Sequence, residues 1–358
     1  MIILGGLLLL SGRRPHVPVT MGPYGMAIGL LLLSYALSTI FSINIHNSLK
    51  EVLRFISCVS VFFIVSRLKG PKKDILVKTM VIAAAIISIY SIYQYFWGYQ
   101  HTLDFLKRTN SDFLSNSPYA RDILMQKRAI GTFPSPNIFA GYLITLFFLA
   151  CYAGRISNPG STLFQLAVIV IAVMLTKSLG AYLSLIISLA VMLFLFRGDI
   201  KKRRSIIIFC LIAACAGIAF ILSSKWGRLM NLDNPHNPAI QRLNYWRITI
   251  AAIKDHPLIG IGPGNFQEVF LKYKSGWSID SRYSHNILLQ TWLETGVVSL
   301  AAICLLIITF TKRSLARSKY LFLAGLAFIL HNLLDLTYFI PETGLFWWVL
   351  LGLTADDE

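Results

Sequence analysis

Runs of about twenty apolar residues, separated by polar connections, recur along the whole chain, and nothing else in it restricts the fold as much. The hydrocarbon core of a bilayer is about 30 Å thick, which a helix crosses in roughly 20 residues. Only helices and closed barrels satisfy their own backbone groups there, and these runs lack the period-two alternation of a barrel strand. With 56% hydrophobic and 14% charged residues, the 358-residue chain is no ordinary soluble domain. The expected fold is therefore an all-α polytopic membrane protein, a single transmembrane domain over residues 1–358. Apolar spans fall near Met1–Leu10, Tyr24–Ile43, Leu53–Val65, Ile75–Trp97, Ile138–Ala153 and Thr162–Leu175. Others fall near Leu179–Phe196, Ser205–Leu222, Asn286–Phe310, Tyr320–Phe339 and Gly344–Leu353. That makes about 11 transmembrane helices, several short enough to need tilt or polar flanks. Met1–Leu10 has no basic leader or clear cleavage site, so it reads as the tail of a spanning helix rather than a signal peptide.

The formal charge of +17 sets orientation and does not point to nucleic acid. Arg197 with Lys201–Arg204, Lys312–Lys319 and Arg67–Lys73 crowd short connections. Counting crossings puts these on one side with Arg13, Arg14 and Arg155, and that side is expected to be cytoplasmic. Lys50 and Arg54 land on the other side as exceptions. Two long outer loops then follow, at 98–137 and 223–285, and loops of such length are usually functional or disordered. The second carries eight cations (Lys225, Arg228, Arg242, Arg247, Lys254, Lys272, Lys274, Arg282) against four carboxylates (Asp233, Asp255, Glu268, Asp280). An excess of cations on the outer side points to an anionic ligand. Within it, Ile240, Leu243, Trp246, Ile250 and Ile253 recur at helical spacing. Ala239–Lys254 is thus expected as an amphipathic helix at the interface, broken by Pro257 and the Gly260–Gly264 run.

Several residue groups at this level can carry chemistry. Arg242 and Arg247 flank the apolar stripe; each either snorkels into water or grips a phosphate through two parallel hydrogen bonds. His285 sits where the loop meets the membrane and precedes Asn286. Its imidazole can exchange a proton near neutral pH, or it can serve as a structural hydrogen-bonder. Glu294, deeper in the same span, reads as a residue that holds a neighbouring helix. His331 and Asp335, one turn apart, are expected as a buried structural pair. Arg128 lies just before Gly131, which either lets a backbone approach a ligand or makes a tight turn. No phosphate loop, HExxH motif or cluster with metal-ligand spacing occurs in the outer loops, so no metal and no cofactor is expected. The five cysteines, Cys58, Cys151, Cys210, Cys215 and Cys304, fall in or beside apolar spans and read as buried packing residues.

These residues resemble a known family in four places. Arg128-Ala-Ile-Gly-Thr-Phe-Pro-Ser-Pro-Asn137 is similar to the RxxGTF…NPN signature of the O-antigen ligase and polymerase family of bacterial envelope glycosyltransferases. Arg242-Leu-Asn-Tyr-Trp246 with His256-Pro257-Leu-Ile-Gly260-Ile-Gly262-Pro-Gly264 resembles its RxxxW…HPxxGxGxG run. Ser284-His285-Asn286 with Leu293-Glu294-Thr295-Gly296 resembles its HNxxLxxxxExG box, and His331 with Asp335 a late HNxxD pattern. Together they run from Arg128 to Asp335. The resemblance implies a GT-C-like, metal-independent and inverting transferase on the outer face of the bacterial inner membrane. Its donor would be an undecaprenyl-pyrophosphate-linked glycan, and its acceptor a hydroxyl of a lipid, a glycan or a protein. It implies His285 as base or orienter of the acceptor hydroxyl and Arg242 as the grip on pyrophosphate, with Arg128, Lys177, Arg247 and Asn286 as substrate-binding residues. One departure stands out. Where the family often has Thr-x-Ser-Arg-Gly-Ala, this chain has Thr176-Lys177-Ser178-Leu179-Gly180-Ala181. Lys177 offers a charge at a similar level, without the bidentate fork. The reading from another class is a transporter or flippase, which would place broken helices and charges near mid-membrane.

Overall fold

The computed structural model describes residues 24–109, 116–199, 231, 237–274 and 280–355. The expected spans Met1–Leu10 and Ser205–Leu222 lie outside these residues, as do Arg13, Arg14, the Lys201–Arg204 run, Lys225, Arg228, Asp233, Cys210 and Cys215. The described residues form helices and no strand: α1 (Gly25–Ile40), α2 (Ile45–Ser66), α3 (Gly70–Tyr93), α4 (Tyr99–Thr109), α5 (Pro118–Met125), α6 (Pro136–Ala153) and α7 (Pro159–Thr176). There follow α8 (Leu179–Leu195), α9 (Pro238–Asp255), α10 (Phe266–Tyr273), α11 (Ile287–Arg317), α12 (Lys319–Asn332) and α13 (Pro341–Thr354). Among the described residues, four segments are long and apolar enough to cross a membrane: Gly70–Thr109, α6, α7 and α11. The chain is a membrane protein.

Local chemistry sets where helices begin. α6, α7 and α9 each open on a polar residue followed by proline. Ser135 accepts from Asn137 N at 3.2 Å, Asn158 from Gly160 N at 2.8 Å, and Asn237 from Ala239 N at 3.0 Å. Proline at the first helical position loses no hydrogen bond, and the cap fills one of the orphan donors. α6 is buried on nearly every side, as an all-round apolar helix in a bundle core must be. It packs on α3, α7 and α12, while α11 packs on α1 and α13 on α2.

The connections rich in cations meet at one end. Lys73 Nζ and Arg317 Nη1 both donate to Ala355 O, at 3.4 and 3.0 Å, and Lys319 Nζ donates to Leu195 O at 2.7 Å. Lys78 Nζ reaches Ile156 O at 3.2 Å. Each of these carbonyls lies in or just beyond the last turn of a helix, where the macrodipole favours positive charge.

Three features depart from the sequence expectations. The helix over Ile75–Trp97 does not stop there: it passes through a π turn at Gln94–Gly98 and continues as α4. α9 does form, but its packed face is Tyr245, Ile248, Thr249, Ala252 and Ile253, while Leu243 and Ile250 point outward at 55% and 46% exposure. Of the expected stripe, Ile253 is buried in this packed face and Trp246 lies against it. Finally, α11 is broken at Gly296 (φ 84°, ψ 176°). A side chain there would meet Leu258 O at 2.0 Å, so only glycine fits. The Gly260–Gly264 loop closes on this break: Ile261 N and Gly262 N donate to Leu293 O and Glu294 O, both at 3.0 Å, and Ser38 Oγ also donates to Glu294 O at 2.6 Å.

Candidate active site

Opposite the basic end, the turn after α12 carries Asp335. α12 stops at Asn332, so His331 and Asp335 are not stacked one turn apart, and they do not form the ion pair expected from their spacing. Asp335 turns instead towards α9 and the N-terminus of α11. Its side chain is 1% exposed; one oxygen accepts from Leu336 N at 3.0 Å and the other from Arg242 Nη2 at 3.1 Å. Arg242 also donates from Nε to Leu334 O and from Nη1 to Pro238 O at 3.1 Å. A buried carboxylate is stable only when paired and hydrogen-bonded, and the guanidinium does both. Three of its five N–H donors are used, leaving one on each terminal nitrogen.

His285 completes this group. Its Nδ1 lies 3.6 Å from Asp335 Oδ1, and its ring stacks on Tyr245 with centroids 5.4 Å apart. The residue is held in the left-handed region, φ 55°. Asn286 explains why it stays there. Its Oδ1 caps α11 by accepting from Leu288 N and Leu289 N at 3.0 and 3.1 Å, and its Nδ2 donates to Leu333 O at 3.1 Å. Asn286 thus holds the carbonyl of Leu333, Arg242 holds the carbonyl of Leu334 and the carboxylate of Asp335, and His285 Nδ1 faces that carboxylate.

A second group lies on the α6–α7 side. Arg128 donates from Nε to Thr176 O at 3.0 Å and from Nη2 to Asn137 Oδ1 at 2.7 Å. Asn137 O is 3.1 Å from His331 Nε2; a carbonyl only accepts, which assigns the proton to that nitrogen. Lys177 caps α7 in the left-handed region, φ 54°, with Nζ donating to Gln126 O at 2.6 Å and 5.6 Å from the Tyr95 ring. Burial, then the charges of Arg128 and Lys127, pull its pKa below the ordinary lysine value. Lys127, Lys177 and His285 are the non-glycine residues with positive φ among those described, and all three lie at this end. Strain of that kind persists only where the surroundings over-determine it, and it gathers at functional sites.

Glu294 and Arg247 stand apart from these groups. Glu294 is buried; its Oε1 accepts from Gln290 Nε2 at 3.1 Å and from Phe266 N at 3.3 Å, so it holds the start of α10. Arg247 is exposed on α9, with no hydrogen bond or ion pair recorded among the described residues. Sequence reasoning passed over Tyr245, although it lies three residues after Arg242 on one helical face. Asn137, which joins Arg128 to His331, closes the Arg128–Asn137 motif, but nothing in the sequence gave it that role. Among the described residues, no group of three or more His, Cys, Asp or Glu side chains is placed to hold a metal ion.

Comparison with known proteins agrees with the resemblance read from the motifs. The O-antigen ligase family model matches residues 164–304, a range that holds Lys177, Arg242, Arg247, His285, Asn286 and Glu294. The chain is 25% identical over 234 residues to the ComP-specific O-oligosaccharyltransferase of Acinetobacter baylyi, covering 61% of this chain and 43% of that one. It is 26% identical over 171 residues to an uncharacterised protein of Haemophilus influenzae, covering 42% of each. The match thus spans less than half the length of either relative. Arg128, His331 and Asp335 fall outside the family match and come to this site through the fold. Over residues 164–304, the chain is similar to the O-antigen ligase family.

Proposed function

We propose that the protein is a glycosyltransferase that moves a glycan from an undecaprenyl-pyrophosphate carrier to an acceptor hydroxyl on the outer face of the bacterial inner membrane. The observation that carries this reading is the convergence of His285 and Arg242 on one buried carboxylate, Asp335. The topology that goes with it has about 11 crossings, with the Lys73, Arg317 and Lys319 end in the cytoplasm, as the positive-inside tendency requires.

In this reading the acceptor oxygen attacks the anomeric carbon, and the bond from that carbon to the carrier phosphate breaks. Asp335 orients His285 through Nδ1, which leaves Nε2 to take the hydroxyl proton. The departing diphosphate keeps the bonding electrons, and its growing charge is met by the two spare donors of Arg242, with Lys177 and Arg128 nearby. Attack from the face opposite the leaving group inverts the anomeric centre. Partners held at one interface gain further from proximity.

Two acceptors fit an oxygen nucleophile. The family match supports an envelope acceptor such as lipid A-core or a second lipid-linked repeat, which would make the protein a ligase or a polymerase. The Acinetobacter relative, an O-oligosaccharyltransferase, supports a protein hydroxyl instead. A transporter is less well supported: α11 is broken, but the carbonyls freed at the break are taken by Ile261, Gly262 and Ser38 rather than facing a cavity.

The test is reconstitution in vesicles with an undecaprenyl-pyrophosphate-linked glycan and candidate acceptors. Glycan should appear on the acceptor with release of carrier diphosphate. Movement of the lipid-linked glycan across the bilayer with no transfer to any acceptor would sink the enzymatic reading.

A further inference from the structure

Arg54 is, with Lys50, one of the two cations that charge counting left unexplained, and its surroundings give it a role. Its side chain is 9% exposed within α2, with the guanidinium carbon 5.9 Å from the centroid of the Tyr338 ring. Burying a charged group costs free energy unless it is paired and hydrogen-bonded, so a guanidinium this enclosed calls for an account of its partners. Glu51 Oε2 accepts from Arg54 Nε at 2.5 Å, and Arg54 Nη1 donates to Tyr338 O at 3.2 Å. Nη2 is buried with no hydrogen-bond partner. For stability alone this is a poor arrangement, since apolar residues of similar volume often replace a buried ion pair without loss.

The carbonyl that Arg54 holds lies three residues beyond Asp335, in the short 3-10 helix Thr337–Phe339 of the same connection. That connection carries Leu334 O and Asp335, held by Arg242 from the α9 side, and Tyr338 O, held by Arg54 from the α2 side. Two guanidiniums therefore clamp one short segment at its two ends. Gly344 makes the second clamp possible: a side chain there would come within 2.3 Å of Tyr338 O and 3.6 Å of Arg54 Nη1. Glu51 packs against the Gly-rich loop, since a side chain at Gly264 would meet its Cγ at 2.7 Å.

We propose that the Glu51–Arg54 pair is a positioning unit, which fixes the Leu334–Tyr338 turn so that Asp335 meets His285 and Arg242 in register. It rests on the transferase reading above, and it touches neither donor nor acceptor. Its removal should therefore slow the chemical step without weakening binding.

The experiment uses the full chain in lipid nanodiscs, with an undecaprenyl-pyrophosphate-linked glycan as donor. Arg54→Met should lower kcat about 10²-fold, as a displacement of about 1 Å does elsewhere, with the donor KM unchanged. Hydrogen exchange across residues 333–340 should quicken, and Arg54→Lys should recover part of kcat. Glu51→Gln, which keeps the bond to Tyr338 O, serves as a milder variant should Arg54→Met fail to fold, with the same signs expected. An unchanged kcat overturns the proposal, as does a raised KM at unchanged kcat, which would make Arg54 a binding residue. If the wild-type protein transfers no glycan, the transferase reading fails by itself. The exchange measurement then still judges the clamp, which faster exchange supports and unchanged exchange overturns.

Discussion

The two ends of the helical bundle are both rich in lysine and arginine, yet they use them differently. At one end Lys73, Lys78, Arg317 and Lys319 donate to carbonyls at helix C-termini. At the other, Arg242 and Arg128 bond to side chains, Asp335 and Asn137, that lead on to histidines. The first end is an anchor for charge. The second is a network in which moving one group moves the next, and its backbone is strained at Lys127, Lys177 and His285. Cation number does not tell a site from an anchor; the presence of a buried carboxylate and an imidazole does.

The sharpest break of this contrast comes from the network itself. Asp335→Asn and His285→Ala should each reduce glycan transfer by about 10²–10⁴-fold, the range for loss of a general base or its orienter. The protein should still insert in the membrane, as followed by fluorescence-detected gel filtration. Arg242→Lys should come next, with a loss of about 10²-fold or more in kcat, because a point charge cannot replace a fork on a leaving diphosphate. Full activity in this variant would mean that charge alone matters. Gly296→Ala should act on stability, since its side chain would meet Leu258 O at 2.0 Å. A loss of about 1–3 kcal/mol for a strained φ, with the clash in addition, is expected as a lower melting temperature in detergent. The smallest effects should come from cations outside the network. Arg247→Ala, at an exposed site, should change stability by no more than about 0.5 kcal/mol and leave transfer near the wild-type rate. A large loss of transfer there would extend the site along α9.

Much of this was written in the chain in local chemistry. Ser135-Pro136, Asn158-Pro159 and Asn237-Pro238 announce their helices, and Asn286 announces α11, because caps depend on neighbours a few residues away. What could not be read locally is which apolar face meets protein. In lipid an outward face is as greasy as an inward one, so periodicity loses its meaning; on α9 the stripe set by spacing holds buried Ile253 together with exposed Leu243 and Ile250. The break at Gly296 was hidden for a related reason, since a glycine in an apolar run looks like any other until a carbonyl from Leu258 lands on it. The partners of Asp335 were misjudged because spacing of four implies a stacked pair only inside a helix, and α12 ends before it. The late HNxxD pattern placed Asp335 in the right company but not in the right geometry.

The break in α11 has one more consequence, which is mechanical. Between Gly296 and the cap at Asn286 runs a stub of nine helical residues, Ile287–Thr295, about 14 Å long. A stub of that length is a lever with His285 at its tip, and a swing of about 5° about its foot would carry the imidazole roughly 1 Å. The Leu258–Gly262 strap latches the pivot, so the aim of the histidine is governed from a joint well away from the ring.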